Sequence, residues 1–166
     1  MQVSTTSEEN EWIAFSSVLY ANDLLYIRSI DRETRDVFGP KTNRVFSESK
    51  SEALRWMLKK DGKTIGRIAA FVNGRNLDKE KQLTGGCGFF DCIDDQEAAN
   101  MLFGAPKAWL QLRGMEAMDG TINFGERDKF WGVLIDGFVP QNYSMLYNAP
   151  CYKDLLEGYG FQLYFN

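Results

Sequence analysis

The stretch of sequence that decides the fold is GGCGFFDCIDDQEAANMLFGAPKAWLQLRGMEAMDGTINF, residues 85–124. Residues 85–93 are apolar and predict a β-strand, in which the glycines indicate either a bulge that faces a ligand or a plain loop entering the strand. A helical pattern begins near Asp94, and a second strand is predicted over residues 115–124. A strand, a helix and a strand in this order imply a right-handed crossover between two parallel strands.

The helix of this unit shows the clearest periodicity in the chain. Its predicted apolar face contains Ala98, Leu102, Ala105, Trp109 and Leu112. Asp94 or Asp95 can cap its first turn, and Gly114 stands where a left-handed residue commonly ends a helix. Pro106 lies inside the span, so we expect the helix to be kinked or split there.

A β-hairpin is predicted directly before the crossover unit. Residues 52–60 alternate weakly between two faces, and residues 63–73 return as a second strand. Asp61-Gly62 between them is a strong turn signal. Because a hairpin is antiparallel and a crossover is parallel, we predict a mixed sheet with helices on both faces. The fold class is therefore α/β (α+β).

Three further helices flank this core. Residues 7–20 form an amphipathic pattern that Ser7 can cap, and a short helix is predicted near residues 31–37. A last helix is predicted over residues 149–159, because Pro150 is tolerated in a first turn. Gly160 is expected to end it.

The chain is of a length that suits one domain, with 166 residues. We assign residues 1–50, the N-terminal helix and an irregular segment, to the same domain as a core over residues 51–166. Residues 161–166 read as a closing strand with one edge unpaired, and unpaired edges promote association. We therefore expect either a homodimer or a further C-terminal part of the protein to pair at residues 161–166.

The composition excludes several kinds of function. The chain has no histidine, which rules out Ser-His-Asp and Cys-His triads and histidine zinc sites. Its net charge of -4, without a basic cluster, argues against nucleic acid as a partner. We expect no metal, no signal peptide and no membrane partner. The cysteines lack C-x-x-C spacing and predict reduced thiols in a cytoplasmic protein.

The order of elements resembles the GNAT N-acetyltransferase superfamily without its final strand. The closing segment, residues 147–161, is similar to the helix and Gly-Phe ending of that superfamily. A narrower resemblance is to a branch of bacterial GNAT-like proteins that are commonly longer than this chain. It is carried by GRIAA (66–70), GFFDC (88–92), DDQEAA (94–99) and NFGERD (123–128).

The resemblance implies an acyl-CoA co-substrate, acetyl-CoA or another, bound where two parallel strands diverge. The acyl-pantetheine arm would bond to the backbone of residues 85–93, and the pyrophosphate would lie at the start of the crossover helix. The implied co-substrate contacts are Phe89, Phe90, Asp91, Cys92, Ile93, Gln96 and Ala98. The family's glycine- and arginine-rich phosphate loop is replaced here by the acidic segment 94–99, which repels phosphate.

The resemblance also implies catalytic residues, with one displacement. The family often places a tyrosine general acid four residues before the Gly-Phe pair, and that position is Leu156 here. Tyr152, one turn earlier, can replace it, or it packs against the sheet as a plain helix tyrosine. Asp91 or Glu126 would act as the base. The alternative for Asp91 is a solvated strand residue.

Residues for the acceptor substrate are expected after the second parallel strand, because ligands bind at the carboxyl ends of strands in α/β sheets. Asn123, Glu126 and Arg127 either line that site or form a surface turn held by an ion pair. The aromatic segment that follows either covers a pocket or closes the core. Its candidate substrate contacts are Trp131, Tyr147 and Asn148. Arg67 is expected to be exposed, ion-paired or a ligand contact.

Two functions follow from these residues. The first is an acyl-CoA-dependent N-acyltransferase that transfers an acetyl group to the primary amine of a small molecule. The second is a non-catalytic GNAT-like module for ligand binding or interaction within a larger protein, which has lost the phosphate loop. The acidic segment 94–99 and the displaced Tyr152 favour the second function, so the sequence leaves open whether the chain is an enzyme.

Overall fold

The two faces of one β-sheet organise the structure, a computed structural model that describes residues 1–48, 50–75, 77, 82–124, 132–142, 145 and 147–163. The helices are α1 (Thr6–Leu19), α2 (Asp31–Val37), α3 (Arg44–Glu48), α4 (Gln96–Gln111) and α5 (Tyr152–Tyr159). The strands are β1 (Glu52–Lys60), β2 (Lys63–Val72), β3 (Thr84–Cys92) and β4 (Ala117–Asp119). The mixed α+β class predicted from the sequence is confirmed.

The sheet of the described residues has the order β1-β2-β3-β4. β1, β2 and β3 are antiparallel neighbours, whereas β3 and β4 are parallel. The hairpin and the parallel crossover are thus confirmed. Asp61 and Gly62 in the hairpin turn both have positive φ, of 51° and 76°, the backbone shape that a two-residue turn between strands requires.

Helices cover both faces of this sheet, as predicted. Trp12 and Ile13 of α1 pack on Met57 and Ala69 on one face. α4 and α5 pack on the other face, where Ile68 and Phe90 join their core residues. Since neighbouring strand residues point to opposite faces, the alternation of Met57 with Trp56, and of Ala69 with Ile68, separates the two cores.

α4 is continuous from Gln96 to Gln111, so the expected split at Pro106 is wrong. The proline ring is buried on the core side of the helix. Leu112 was also placed wrongly on the apolar face, because it is the C-cap residue and is 86% exposed. Asp95 is the N-cap, and Gly114 has the expected positive φ, 75°.

The structure differs from two of the predicted strands. β4 has three residues, shorter than the predicted span of 115–124. Residues 161–163 form no strand, while residues 164–166 lie outside the described residues. Gly160 does end α5, with φ of 110°, and its N–H donates to the carbonyls of Leu156 and Glu157. No helix in the described part of the chain combines the length and apolarity needed to span a membrane.

The cap at the start of α1 includes a titratable carboxyl group, that of Glu8. Thr5, rather than the predicted Ser7, is the N-cap, and it forms a capping box with Glu8. The Glu8 carboxylate accepts hydrogen bonds from the backbone N–H of Ser4 at 2.8 Å and of Thr5 at 2.9 Å. These bonds favour the charged form and lower the pKa of Glu8 from 4.5 to about 2.

We therefore expect the stabilising effect of Glu8 to persist in acid. Its pKa is lower in the folded chain than in the unfolded one, so the effect is complete above pH 4.5 and is lost as the pH falls through about 2. An NMR titration of the Glu8 carboxyl carbon measures this directly. Glu8→Gln should be less stable than the wild type at pH 6, and this difference should shrink towards pH 2. A titration midpoint near 4.5 would contradict the capping box.

Candidate active site

A buried carboxylate lies at the centre of the candidate site. Asp91 of β3 is 5% exposed and stands opposite Arg67 of β2, which is 8% exposed. The Arg67 Nε and Nη2 atoms lie 2.8 and 2.7 Å from Asp91 Oδ2. Ser16 Oγ donates to the same oxygen over 2.8 Å. Asp91 is therefore a buried ion-pair partner and not the solvated strand residue considered as an alternative, and Arg67 is ion-paired rather than exposed.

Two tyrosines extend this ion pair into a hydrogen-bonded chain. Tyr20 Oη donates to Asp91 Oδ1 over 2.9 Å, and Tyr152 Oη lies 2.7 Å from Tyr20 Oη. Tyr152 Oη also accepts from the backbone N–H of Cys92 at 2.8 Å. Burial and the nearby Asp91 carboxylate raise the pKa of both phenols well above the ordinary value of 10. Both therefore remain protonated at neutral pH.

The local structure explains why these side chains meet. Trp12, Ser16 and Tyr20 follow one another at four-residue intervals, so all three point from α1 towards the sheet. Arg67 and Asp91 are paired in the register of β2 and β3. Tyr152 opens α5 and is 1% exposed. Leu156, at the family's usual tyrosine position, is also buried in the core.

The paired segment between β3 and β4 is short. Thr84, Gly85 and Gly86 pair with Ala117–Asp119, and the Ile122 N–H then donates to the Cys87 carbonyl over 2.8 Å. Beyond this point side chains bind the edge of β3. Asn123 Oδ1 accepts from the Phe89 N–H, and Tyr152 Oη accepts from the Cys92 N–H. The backbone of β3 is irregular there, with a positive φ of 51° at Phe89 and a register shift opposite Arg67 and Ala69.

Gly88 lies where the segment after β4 comes closest to β3. A Cβ atom on Gly88 would lie 2.0 Å from the Ile122 carbonyl oxygen and 2.5 Å from Asn123 Oδ1. Gly85, Gly86 and Gly88 lie within β3, so the plain loop that was one of the two alternatives is wrong, and the ligand-facing bulge stays a prediction. The approaching atoms belong to the chain itself.

The N-terminus of α4 is already capped by the chain. Asp95 Oδ1 accepts from the Ala98 N–H over 3.0 Å, at a position where the resemblance implies phosphate contacts. Gln96 Nε2 donates to Asn100 Oδ1 and to the Leu155 carbonyl. Phosphate would have to displace the Asp95 carboxylate and meet the charge of Asp94 and Glu97, so the implied contacts at Gln96 and Ala98 stay a prediction.

The remaining implied co-substrate contacts occupy packed positions. The Phe89 ring lies 5.4 Å from Trp12 and 5.2 Å from Phe38 between ring centroids. Phe90 packs on Phe103 and Tyr152 on the other face. The Ile93 N–H donates to the Ile65 carbonyl. These side chains form the walls on either side of β3, and their proposed contact with an acyl arm stays a prediction.

A cavity opens onto the ion pair from the α1 side of the sheet. It encloses about 500 Å³, counting space that is continuous with solvent. Its polar wall includes Ser16, Tyr20, Arg67 and Asp91. Five further residues complete it, namely Tyr26, Arg28, Asp31, Gln141 and Tyr147. Both signs of charge line the cavity, and Arg28 and Asp31 are themselves paired at 2.8 Å.

The predicted substrate residues have different positions. Asn123 is 5% exposed, and its Nδ2 atom has no hydrogen-bond partner among the described residues. Tyr147 lines the cavity and donates to the Asp23 carboxylate. Asn148 binds the backbone of Leu134 and Ala149, so it holds a loop. Glu126, Arg127 and Trp131 lie outside the described residues.

Sequence reasoning missed Ser16 and Tyr20. The predicted apolar stripe of α1 contained Trp12, Phe15 and Leu19, and polar residues beside it were not considered. A usable signal was present, because a serine and a tyrosine spaced at four and eight residues from a buried tryptophan share its helix face. Within the ranges that the structure describes, no group of three acidic, cysteine or histidine side chains is arranged to hold a metal ion.

Fold and site together define a mixed α+β domain whose crossover strand carries a buried tyrosine–carboxylate cluster. No family model matches the chain. Protein YghO of Escherichia coli (strain K12) is 30% identical over 154 residues, which cover 90% of this chain and 38% of YghO. Bacterial ceramide synthase of Caulobacter vibrioides (strain NA1000 / CB15N) is 29% identical over 151 residues, with the same two coverages of 90% and 38%.

Both relatives are bacterial proteins, and the chain spans about two fifths of the length of each. No solved structure matches it.

Proposed function

We propose that this chain is the GNAT-like part of a cytoplasmic N-acyltransferase that moves an acyl group from a coenzyme A thioester to the primary amine of a small molecule. The observation that carries the proposal is the position of Tyr152, whose hydroxyl binds the edge of β3 beyond the residues that pair with β4 and also touches Tyr20 in the cavity wall. A tyrosine beside the crossover strand is the arrangement that the resemblance to the GNAT superfamily implies for thioester aminolysis.

In the proposed reaction the amine nitrogen attacks the thioester carbonyl carbon. The new C–N bond forms, the C–S bond breaks, and the leaving thiolate takes the hydroxyl proton of Tyr152. The nitrogen loses one proton as the amide forms, and that proton restores the Tyr152 hydroxyl. The carbonyl oxygen gains negative charge during the attack and needs a fixed donor. Asn123 Nδ2 is a buried donor beside Phe89 with no partner among the described residues, and we assign it this oxygen.

The acceptor amine would enter through the cavity on the α1 side. Tyr20 and Asp91 lie in its wall, so an amine there would lie near the tyrosine chain. The name of one relative supports an amide-forming reaction, because ceramide is an N-acylated amino alcohol. Since the chain spans 38% of that relative, the whole-length activity and its partners are part of the proposal.

Binding and turnover test the proposal together. Acetyl-CoA and a longer acyl-CoA are compared with free CoA in a thermal-unfolding screen, and a saturating ligand at 100 times its Kd should stabilise the fold by about 2.7 kcal/mol. Thiol release is then followed with a panel of primary amines. Stabilisation by the thioesters and amine-dependent thiol release are the expected results. The absence of both would overturn the proposal.

S-Acetylpantetheine is a useful third ligand. Because Asp95 occupies the Ala98 N–H, the phosphates should contribute little to binding. We therefore expect S-acetylpantetheine to give most of the stabilisation that acetyl-CoA gives.

The capped α4 terminus favours a second candidate, a non-catalytic module within a larger protein. In that case no amine would cause thiol release, whether or not a ligand raises the unfolding temperature. Turnover that is lost in Tyr152→Phe would exclude this candidate.

A further inference from the structure

The proposed reaction requires the acceptor amine to lose a proton while the leaving thiolate gains one. In this scheme the amine and the thiolate lie on opposite sides of Tyr20. Tyr20 lines the cavity on the α1 side, whereas Tyr152 binds β3 beyond the residues that pair with β4. Their hydroxyl oxygens are 2.7 Å apart and buried. The two phenols thus bridge the acceptor side and the thioester side.

We propose that Tyr20 is a catalytic residue that passes the acceptor amine's proton to Tyr152, an inference that rests on the proposed function. The amine transfers a proton to Tyr20 Oη as its nitrogen bonds to the carbonyl carbon. The Tyr20 hydroxyl, which donates to Asp91 Oδ1 at rest, turns to Tyr152 Oη 2.7 Å away and transfers its own proton there. Tyr152 transfers its own proton to the leaving sulfur. One proton leaves nitrogen, one reaches sulfur, and both tyrosines end as neutral phenols.

Asp91 has a separate role in this scheme. Its carboxylate already accepts from Arg67, Ser16 and Tyr20, so most of its hydrogen-bonding capacity is used. It lies 2.9 Å from Tyr20 Oη and 3.4 Å from Tyr152 Oη. We assign it the positioning of both hydroxyls, with the amine proton taken by Tyr20.

The energetics of the two phenols favour a coupled transfer. A phenolate at either position would lie buried beside the Asp91 carboxylate, which raises the pKa of Tyr20 and Tyr152. A phenolate formed at one position alone is therefore unfavourable. When each tyrosine gains a proton as it loses one, no phenolate accumulates.

The test compares Tyr20→Phe, Tyr152→Phe and the double variant in acyl-CoA turnover with a primary amine. Tyr159→Phe is the matched control, because Tyr159 is a half-buried tyrosine of α5 that packs on Phe103 and Phe161 away from the chain of hydroxyls. Tyr20→Phe should lower kcat by about 100-fold, with KM for the thioester unchanged. Since both tyrosines carry the same protons, the double variant should be no slower than Tyr152→Phe alone.

A proton inventory keeps the inference testable if Tyr20→Phe fails to fold. The wild-type kcat, measured across mixtures of H2O and D2O, should curve, because several protons move in one step. A linear inventory, a wild-type kcat in folded Tyr20→Phe, or losses that multiply in the double variant would each overturn the role of Tyr20 while leaving acyl transfer intact. A wild type without amine-dependent thiol release would overturn the proposed function itself.

Discussion

Arg67→Met is expected to lower the free energy of unfolding by about 3–5 kcal/mol, the usual effect of removing one partner from a buried ion pair. The substitution leaves the Asp91 carboxylate, 5% exposed, without a cation. It also removes the donor that binds the Trp12 carbonyl at 2.8 Å and the guanidinium that lies 4.6 Å from the Trp12 ring centroid. A domain of this kind has about 5–15 kcal/mol of stability in total.

Urea unfolding followed by circular dichroism measures this loss. Lys59→Met is the matched control, since Lys59 on the same face of the sheet pairs with Glu11 at 2.8 Å while both side chains stay partly exposed. An exposed pair contributes about 0–1 kcal/mol. If Arg67→Met loses no more stability than Lys59→Met, the stability of the fold does not depend on the buried Arg67–Asp91 ion pair.

A second substitution separates the ion pair from the rest of the packing. Asp91→Leu in the Arg67→Met background removes the uncompensated charge, so it should restore part of the lost stability. Recovery is expected to be incomplete because Ser16 and Tyr20 then lack their acceptor. A double variant that is less stable than Arg67→Met would argue against an unpaired charge as the cause.

Tyr152→Phe is expected to have the largest effect on activity, lowering kcat of the proposed acyl transfer by about 10²–10⁴-fold. The phenylalanine keeps the ring contact with Phe90, whose centroid is 4.9 Å away, and removes only the hydroxyl that we propose protonates the thiolate. It also leaves the Cys92 N–H without its acceptor, which should cost about 1–3 kcal/mol of stability.

Tyr159→Phe controls for the removal of a phenol from the same helix. It should keep wild-type kcat and stability, because Tyr159 contacts Phe103 and Phe161 through its ring. Initial rates of thiol release and urea midpoints for both variants give the comparison. Equal rates for Tyr152→Phe and Tyr159→Phe would remove Tyr152 from the mechanism and leave it a packing residue.

Much of the architecture was accessible from the sequence, because it depends on local signals. Asp61-Gly62 predicts the hairpin through the backbone shape that its turn needs, and the helical spacing after Asp94 predicts α4. The parallel crossover follows from the order of the elements. Leu112 was placed wrongly and the split at Pro106 does not occur, since local rules do not state where a proline ring can be buried or where a helix stops facing the core.

The candidate site also combines residues predicted from the sequence with residues that only the structure shows. The sequence by itself singled out Asp91 and Tyr152, through a resemblance to a family and the absence of histidine. Only the tertiary structure joined them to Ser16, Tyr20 and Arg67. Tyr20 and Tyr152, whose hydroxyls are in contact, are 132 positions apart along the chain. The buried ion pair and its chain of hydroxyls form only where β2, β3, α1 and α5 come together. The periodicity within any one of these elements does not predict that contact.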